Sequence, residues 1–276
     1  MHKARAAMPF IPVVLLLGLC FVYPVAEVLK WGFHDGSWTA RYIGTVGRPE
    51  YIRILLNTVQ VAVVTSVSCM VLGYPVAYVI SRQRAALRTV LLIAIVVTMW
   101  VSVLIRTYAW MVVLGREGII NNVLAATGII DEPVQLMFTT GAVYVAMIQT
   151  LLPISILASF SGMAGFDQTL LRAARAFGAS KWGGFRTVFL PLTIDGVIAG
   201  GLLVLLMSLG FFITPALVGG PSDILIANVI SDHVNQTLNW NLAAALSAVL
   251  LVIGTAMVLA VLIVTLGVRR FHKRAL

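Results

Sequence analysis

The stretch Leu171–Pro191, LRAARAFGASKWGGFRTVFLP, decides how the rest of the chain is read. It is a charged interruption between long apolar runs. Phe166, Leu170, Ala173, Ala174 and Phe177 recur at three- and four-residue spacing, which gives a helix there one apolar face. Arg172 and Arg175 fall off that face. Asp167 is placed to cap the helix start, where a carboxylate satisfies free N–H groups and meets the positive end of the dipole. Gly178 is placed to stop it. The enclosed segment reaches only about half the distance needed to cross a bilayer. It is expected to lie along the membrane surface or to project from it.

The surroundings demand a membrane. Of the 276 residues, 60% are hydrophobic and 11% charged, and the mean hydropathy is +1.01. A soluble domain of this size could not hide so much apolar surface behind its polar skin. The net charge of +9 and pI near 10.1 do not point to nucleic acid, because the basic residues cluster at the ends of apolar runs. Cys20 and Cys69 lie inside apolar runs and read as small hydrophobes rather than as a disulfide.

Six spans are predicted. Ala6–Ala26 is uncharged and follows Lys3 and Arg5; it is too long for a signal peptide and lacks a small-residue cleavage site, so it reads as a retained helix. A loop over Lys30–Arg53 precedes the second span, Leu55–Ser81, with Pro75 a possible bend. Arg82, Arg84 and Arg88 form a basic cluster before a third span over about Thr89–Val113, which carries Arg106. The fourth lies around Phe138–Gly162, the fifth over Leu192–Thr214 and the sixth over Leu242–Val268. Between the last two, Ile226, Val229, Ile230 and Val234 give a short amphipathic helix. In domain terms, 1–54 holds the first transmembrane helix and an outer loop, 55–268 the transmembrane core and 269–276 a basic tail.

Charge orients the spans. With both termini in the cytoplasm, thirteen Lys and Arg fall inside and five outside, Arg106 excepted. Eight of the ten acids fall outside or at the outer edge, which fits the same orientation.

Little catalytic chemistry is present. A nucleotide-binding loop needs Gly before Lys, and Lys3, Lys30, Lys181 and Lys273 follow His, Leu, Ser and His. The four histidines are scattered through termini and loops, so neither a metal cluster nor a nucleophile–base pair is expected. Arg106 and Asp195 are ionisable groups inside apolar runs, and such groups are expensive there and functional candidates by default. For Arg106 two readings stand: part of a solute path, or a snorkelling or paired residue near the outer surface. Asp195 reads as a cap or anchor of the fifth span, with a role in transport as the alternative. Trp100 and Tyr108 offer aromatic faces for a cationic solute, or packing and interfacial belt surface.

Spacing then carries a resemblance. Ala173-Ala174, three residues, Gly178, nine residues, Val188, one residue and Leu190-Pro191 resemble the signature loop of binding-protein-dependent ABC importer permeases, a Glu-Ala-Ala, Gly, Ile-x-Leu-Pro pattern between two late spans. LGYPVAYVI (Leu72–Ile80), SVLIRTYAW (Ser102–Trp110) and GFFITPALVGG (Gly210–Gly220) look like the spermidine/putrescine-type members of that group. The resemblance covers nearly the whole chain from the second span on and is weakest before residue 50.

What it implies is an all-α integral membrane protein of the bacterial inner membrane. Six transmembrane helices would adopt the MetI-like type I ABC importer permease fold, with a cytoplasmic coupling helix. The partners implied are a second, related permease subunit, two ATP-binding subunits that hold ATP and Mg, and a periplasmic substrate-binding protein. Coupling to the ATPase falls on Arg172, Ala173, Ala174 and Gly178, with Leu190 and Pro191 opening the next span. The chain itself is a transport subunit rather than an enzyme and needs no cofactor or metal. Trp100, Arg106 and Tyr108 are its candidate solute-path residues. One position departs from the family pattern: Arg172 stands where Glu is expected, so a carboxylate contact cannot be made there. The solute implied is a polyamine, or else an amino-acid-like or opine-like compound. A stand-alone secondary transporter is the competing reading, and it is weakened because no internal repeat is evident.

Overall fold

The structure, a computed structural model, describes residues 16–31 and 47–274. All regular structure among them is helical. The first ten residues of the first expected span, Ala6–Ala26, lie outside the described residues, as do Lys3, Arg5 and most of the loop that follows. The chain divides into two compact units.

One unit comprises the described part of Met1–Arg53 together with Val229–Met257. Here α1, Tyr23–Trp31, continues a π-helical turn over Gly18–Val22. Trp31 meets Trp240 edge to face, with ring centroids 6.0 Å apart, a favourable arrangement of two aromatic quadrupoles. Lys30 pairs with Glu27 one turn earlier at 2.6 Å.

The other unit, Ile54–Asn228 with Val258–Leu276, carries the core. Its elements are α2 (Pro49–Ser81), α3 (Ala85–Trp100), α4 (Val103–Leu114), α5 (Ile119–Ala126), α6 (Thr140–Ala164), α7 (Gln168–Ala176), α8 (Lys181–Leu209) and α9 (Ile213–Val218). The amphipathic α10 (Ile226–Asn235) and the long α11 (Trp240–Arg274) each contribute residues to both units. Four helices, α2, α6, α8 and the Trp240–Gly267 part of α11, are long and apolar enough to cross a membrane. Pro75 is accommodated inside α2 without ending it.

The third span departs from expectation. The run Thr89–Val113 is not one helix: Val101 and Ser102 are extended, and Ala85–Trp100 meets Val103–Ala126 at 91°. At 16 residues α3 alone reaches roughly 24 Å, short of a full hydrocarbon core. Neither Gly nor Pro marks the break. Tertiary bonds hold α4 instead: Thr107 Oγ1 lies 3.0 Å from Thr214 Oγ1, Arg106 Nη1 donates to the Thr150 carbonyl at 3.2 Å, and Trp110 Nε1 donates to Gln149 Oε1 at 3.4 Å. Among the described residues there are therefore four spans, or five if this bent pair counts as one, and the six expected are not confirmed.

The core is a seam of small residues. A Cβ added at Gly196 would lie 2.7 Å from the Ala158 carbonyl oxygen, and one at Gly162 would lie 2.9 Å from the Gly196 Cα, so α6 and α8 touch backbone to backbone. Gly200 faces Ala158 and Ser155 in the same way. With lipid tails as apolar as leucine, close packing rather than water exclusion holds such helices together. On the α2 side, Ser155 Oγ donates to the Cys69 carbonyl at 2.8 Å and Ser66 Oγ to the Gly201 carbonyl at 2.7 Å. At the Thr140 end of α6, the buried Asp223 accepts from the Thr140 hydroxyl at 2.6 Å and from the Gly220 N–H at 2.9 Å, and the Phe138 N–H donates to the Val218 carbonyl. The end of α6 remote from that clasp leads into the charged stretch.

Candidate functional site

Asp167 starts α7 as expected. Its carboxylate accepts from the Thr169 N–H at 2.8 Å and from the Thr169 hydroxyl at 2.6 Å. The Thr169 hydroxyl first, and its N–H second, hold the Asp167 carboxyl below the usual carboxylate range, so the cap is charged at neutral pH. Gly178 ends the helix at φ +89, a conformation that a side chain disfavours. The Ala179 N–H donates to the Ala174 carbonyl and the Gly178 N–H to the Arg175 carbonyl, the paired bonds of a Schellman stop. Ser180 then caps the next turn through the Gly183 N–H at 3.0 Å.

The apolar face predicted for α7, Phe166, Leu170, Ala173, Ala174 and Phe177, does not include its inward anchor. Leu171 is the inward anchor, 5% exposed, in a cluster with Ala77, Ile80, Ile156, Met163 and Phe189. Gly184 leaves room for it, since a Cβ there would meet Leu171 Cδ2 at 3.3 Å. Leu170, Ala173 and Phe177, at i, i+3 and i+7, form a separate stripe that faces outward, and Phe177 is 92% exposed. Arg172 and Arg175 are exposed on other sides of the helix, and Ala174 is half-buried. The loop thus presents apolar surface to something other than its own core.

Beneath the loop lies an aromatic root. Residues Phe185–Phe189 of α8 form a π-helical turn before the regular helix resumes at Leu190, and Pro191 sits in that first regular turn, where a missing N–H costs little. Phe189 packs against Phe166 (4.8 Å between centroids) and Tyr78 (5.2 Å), while Phe185 stacks on Trp182 (5.4 Å). An open groove of about 460 Å³, lined by Tyr74, Pro75, Tyr78, Lys181, Trp182 and Phe185, runs along this root. The Arg82 guanidinium stands 5.0 Å from the Tyr78 centroid and 5.1 Å from that of Phe189, and its Nη1 donates to Gln168 Oε1 at 2.9 Å.

The solute-path candidates do not converge in this chain. Trp100 is 85% exposed at the end of α3. Arg106 turns toward Thr150 of α6, with its Nε buried and unpartnered. Tyr108 is exposed two positions along α4, roughly 200° around the helix from Arg106. Asp195 is exposed on α8. Sequence reasoning saw Arg82 only as part of a basic cluster and missed both its ring contacts and the small-residue seam. Tyr74, Tyr78 and Arg82 recur every fourth residue, and Gly196-Val-Ile-Ala-Gly200 is a GxxxG pattern, so both signals were present.

Residues 69–276 match the family described as binding-protein-dependent transport system inner membrane component. The chain belongs to that family. It is a permease, the membrane subunit of an ABC transporter, and not the hydrolytic one. Curated relatives of this permease include the spermidine/putrescine transport system permease protein PotB of Escherichia coli (strain K12), 34% identical over 251 residues that cover 91% of this chain and 90% of that one. PotB of Haemophilus influenzae (strain ATCC 51907 / DSM 11121 / KW20 / Rd) is 36% identical over 78% of this chain and 73% of its own. The inner membrane ABC transporter permease protein YdcU of E. coli (strain K12) is 29% identical over 76% and 71%. Among solved structures, a chain of a bacterial ABC transporter that imports the acidic polysaccharide alginate superposes with a TM-score of 0.73 at 15% identity, covering 94% of each chain. A second structure, of a bacterial alginate ABC transporter in complex with an alginate pentasaccharide-bound periplasmic protein, gives 0.73 at 16% identity, covering 94% of this chain and 93% of that one. At that identity the likeness establishes the fold alone, and the fold is that of an importer permease.

Proposed function

We propose that this permease forms one half of the inward path of an ATP-driven polyamine importer, and that α7 is the coupling helix on which a separate ATPase acts. The observation that carries the coupling reading is the outward stripe of Leu170, Ala173 and Phe177 on a helix fixed at both ends. An apolar stripe on a capped, charged loop beyond the spans fits a protein groove better than it fits water. In this reading α7 lies on the cytoplasmic side, in keeping with the excess of Lys and Arg in the same segments. Two ATP-binding subunits hold ATP and Mg beneath the membrane, a related second permease completes the path, and a periplasmic binding protein delivers the solute.

Arg172 defines what the ATPase must offer. An exposed guanidinium in place of the family's carboxylate calls for an acidic residue or a backbone carbonyl on the partner groove. The polyamine assignment rests on the relatives named as spermidine/putrescine permeases, at 34% identity over 91% of the chain. The deciding experiment reconstitutes the permease with its second subunit, ATPase and binding protein. Binding protein loaded with putrescine or spermidine is expected to raise ATP hydrolysis well above the level given by amino-acid-loaded or empty protein. Equal stimulation by all three contradicts the polyamine assignment.

A further inference from the structure

Arg82 directly follows the last residue of α2 and is the first charged residue after its long uncharged run. An exposed arginine at a helix end ordinarily keeps its rotamer freedom, because fixing a long side chain costs entropy. Here the guanidinium is held on three sides. Its Cζ lies 5.0 Å from the Tyr78 ring centroid and 5.1 Å from that of Phe189, and Nη1 donates to Gln168 Oε1 at 2.9 Å. A planar guanidinium can present its charge to ring faces while its N–H edge donates to an amide, and an ammonium cannot do both in one geometry.

Each contact belongs to a different element. Tyr78 lies in the last turns of α2, Phe189 closes the π turn at the root of α8, and Gln168 is the first residue of α7. The Leu171 cluster also joins these elements, but apolar contact is non-directional and tolerates sliding. The Arg82 contacts are directional. Resting on the reading of α7 as the coupling helix, we propose that Arg82 is a positioning residue of the transport cycle: it fastens the first turn of α7 to the ends of α2 and α8, so that displacing the loop helix moves both spans together. Two ring contacts and one hydrogen bond are strong enough to set the register of α7 and weak enough to be remade in each cycle.

The test uses the whole transporter in proteoliposomes, with labelled putrescine as solute, and reads solute transported per ATP hydrolysed. Arg82→Gln is expected to keep the ATPase bound and the unfolding temperature near wild type, while the transport ratio falls about fivefold, the size expected for loss of the two ring contacts and the bond. Arg82→Lys restores the charge without the planar edge and is expected to recover less than half of the loss. Gln168→Ala removes the bond alone and is expected to lower the ratio by a smaller factor. Arg84→Gln removes an equal charge two residues away and is expected to leave the ratio unchanged. A wild-type ratio in Arg82→Gln overturns the proposal, as does an equal loss in Arg84→Gln. If Arg82→Gln does not assemble, an unchanged ratio in Gln168→Ala overturns it. Failure of the wild-type complex to retain an ATPase would instead refute the coupling reading itself.

Discussion

Asp167 and Gly178 delimit α7, and each supports a prediction at the scale of one side chain. The Asp167 carboxyl is held below its ordinary range by the Thr169 hydroxyl and N–H. A depressed folded-state pKa means that the cap contributes fully above the unfolded value and is lost as pH falls through the folded one. Asp167→Ala is therefore expected to speed hydrogen exchange of the α7 amides at neutral pH, with the difference from wild type closing only as acid protonates the native cap. Asp167 is fully exposed, so solvent screening keeps the effect local. At Gly178 nothing lies within 4 Å of an added Cβ, and the cost of substitution is conformational alone. Gly178→Ala should raise the opening equilibrium of α7 about tenfold, the equivalent of roughly 1–2 kcal/mol for a side chain at positive φ. Exchange measured across α7 in the two variants checks both.

At the scale of the element, the α6–α8 contact is the most exacting feature. A leucine at Gly196 has no space, since the Ala158 carbonyl stands 2.7 Å from where its Cβ would lie. Gly196→Leu is expected to cost about 3 kcal/mol or more; a melting temperature in detergent equal to wild type would show that the seam is slack. Thr107→Val, which removes the hydroxyl pair with Thr214, is expected to cost about 1 kcal/mol in the same measurement. The long helices were readable because the chain leaves no charge over Leu55–Ser81 or Leu242–Val268. Both ends of α7 were readable too, because caps are local chemistry. The break at Val101–Ser102 was not, because nothing local enforces it: bonds from α4 to Thr150 and Thr214, distant in sequence, select two half-helices over one. Likewise Leu171, the inward anchor of α7, was not part of the apolar face read from spacing, because the space it fills is made by Gly184, thirteen residues on. Arg82 shows the same limit, since its rings come from residues as far off as Phe189.

For the whole molecule, a spanning core built on the α6–α8 seam ends in a small helix whose inner side is anchored and whose outer side is open. Family membership makes the chain a transport permease, and on the coupling reading proposed above the open stripe is where force would enter it. On the same reading, the buried leucine would transmit the motion and the exposed phenylalanine would receive it. The most direct test places a photo-crosslinking amino acid at Phe177 in the assembled transporter, with Trp100 as the control site of comparable exposure. Phe177 is expected to capture the ATP-binding subunit, identified by mass spectrometry, and Trp100 is not. Capture of that subunit from Trp100, or none from Phe177 in a complex that hydrolyses ATP, would contradict the coupling reading.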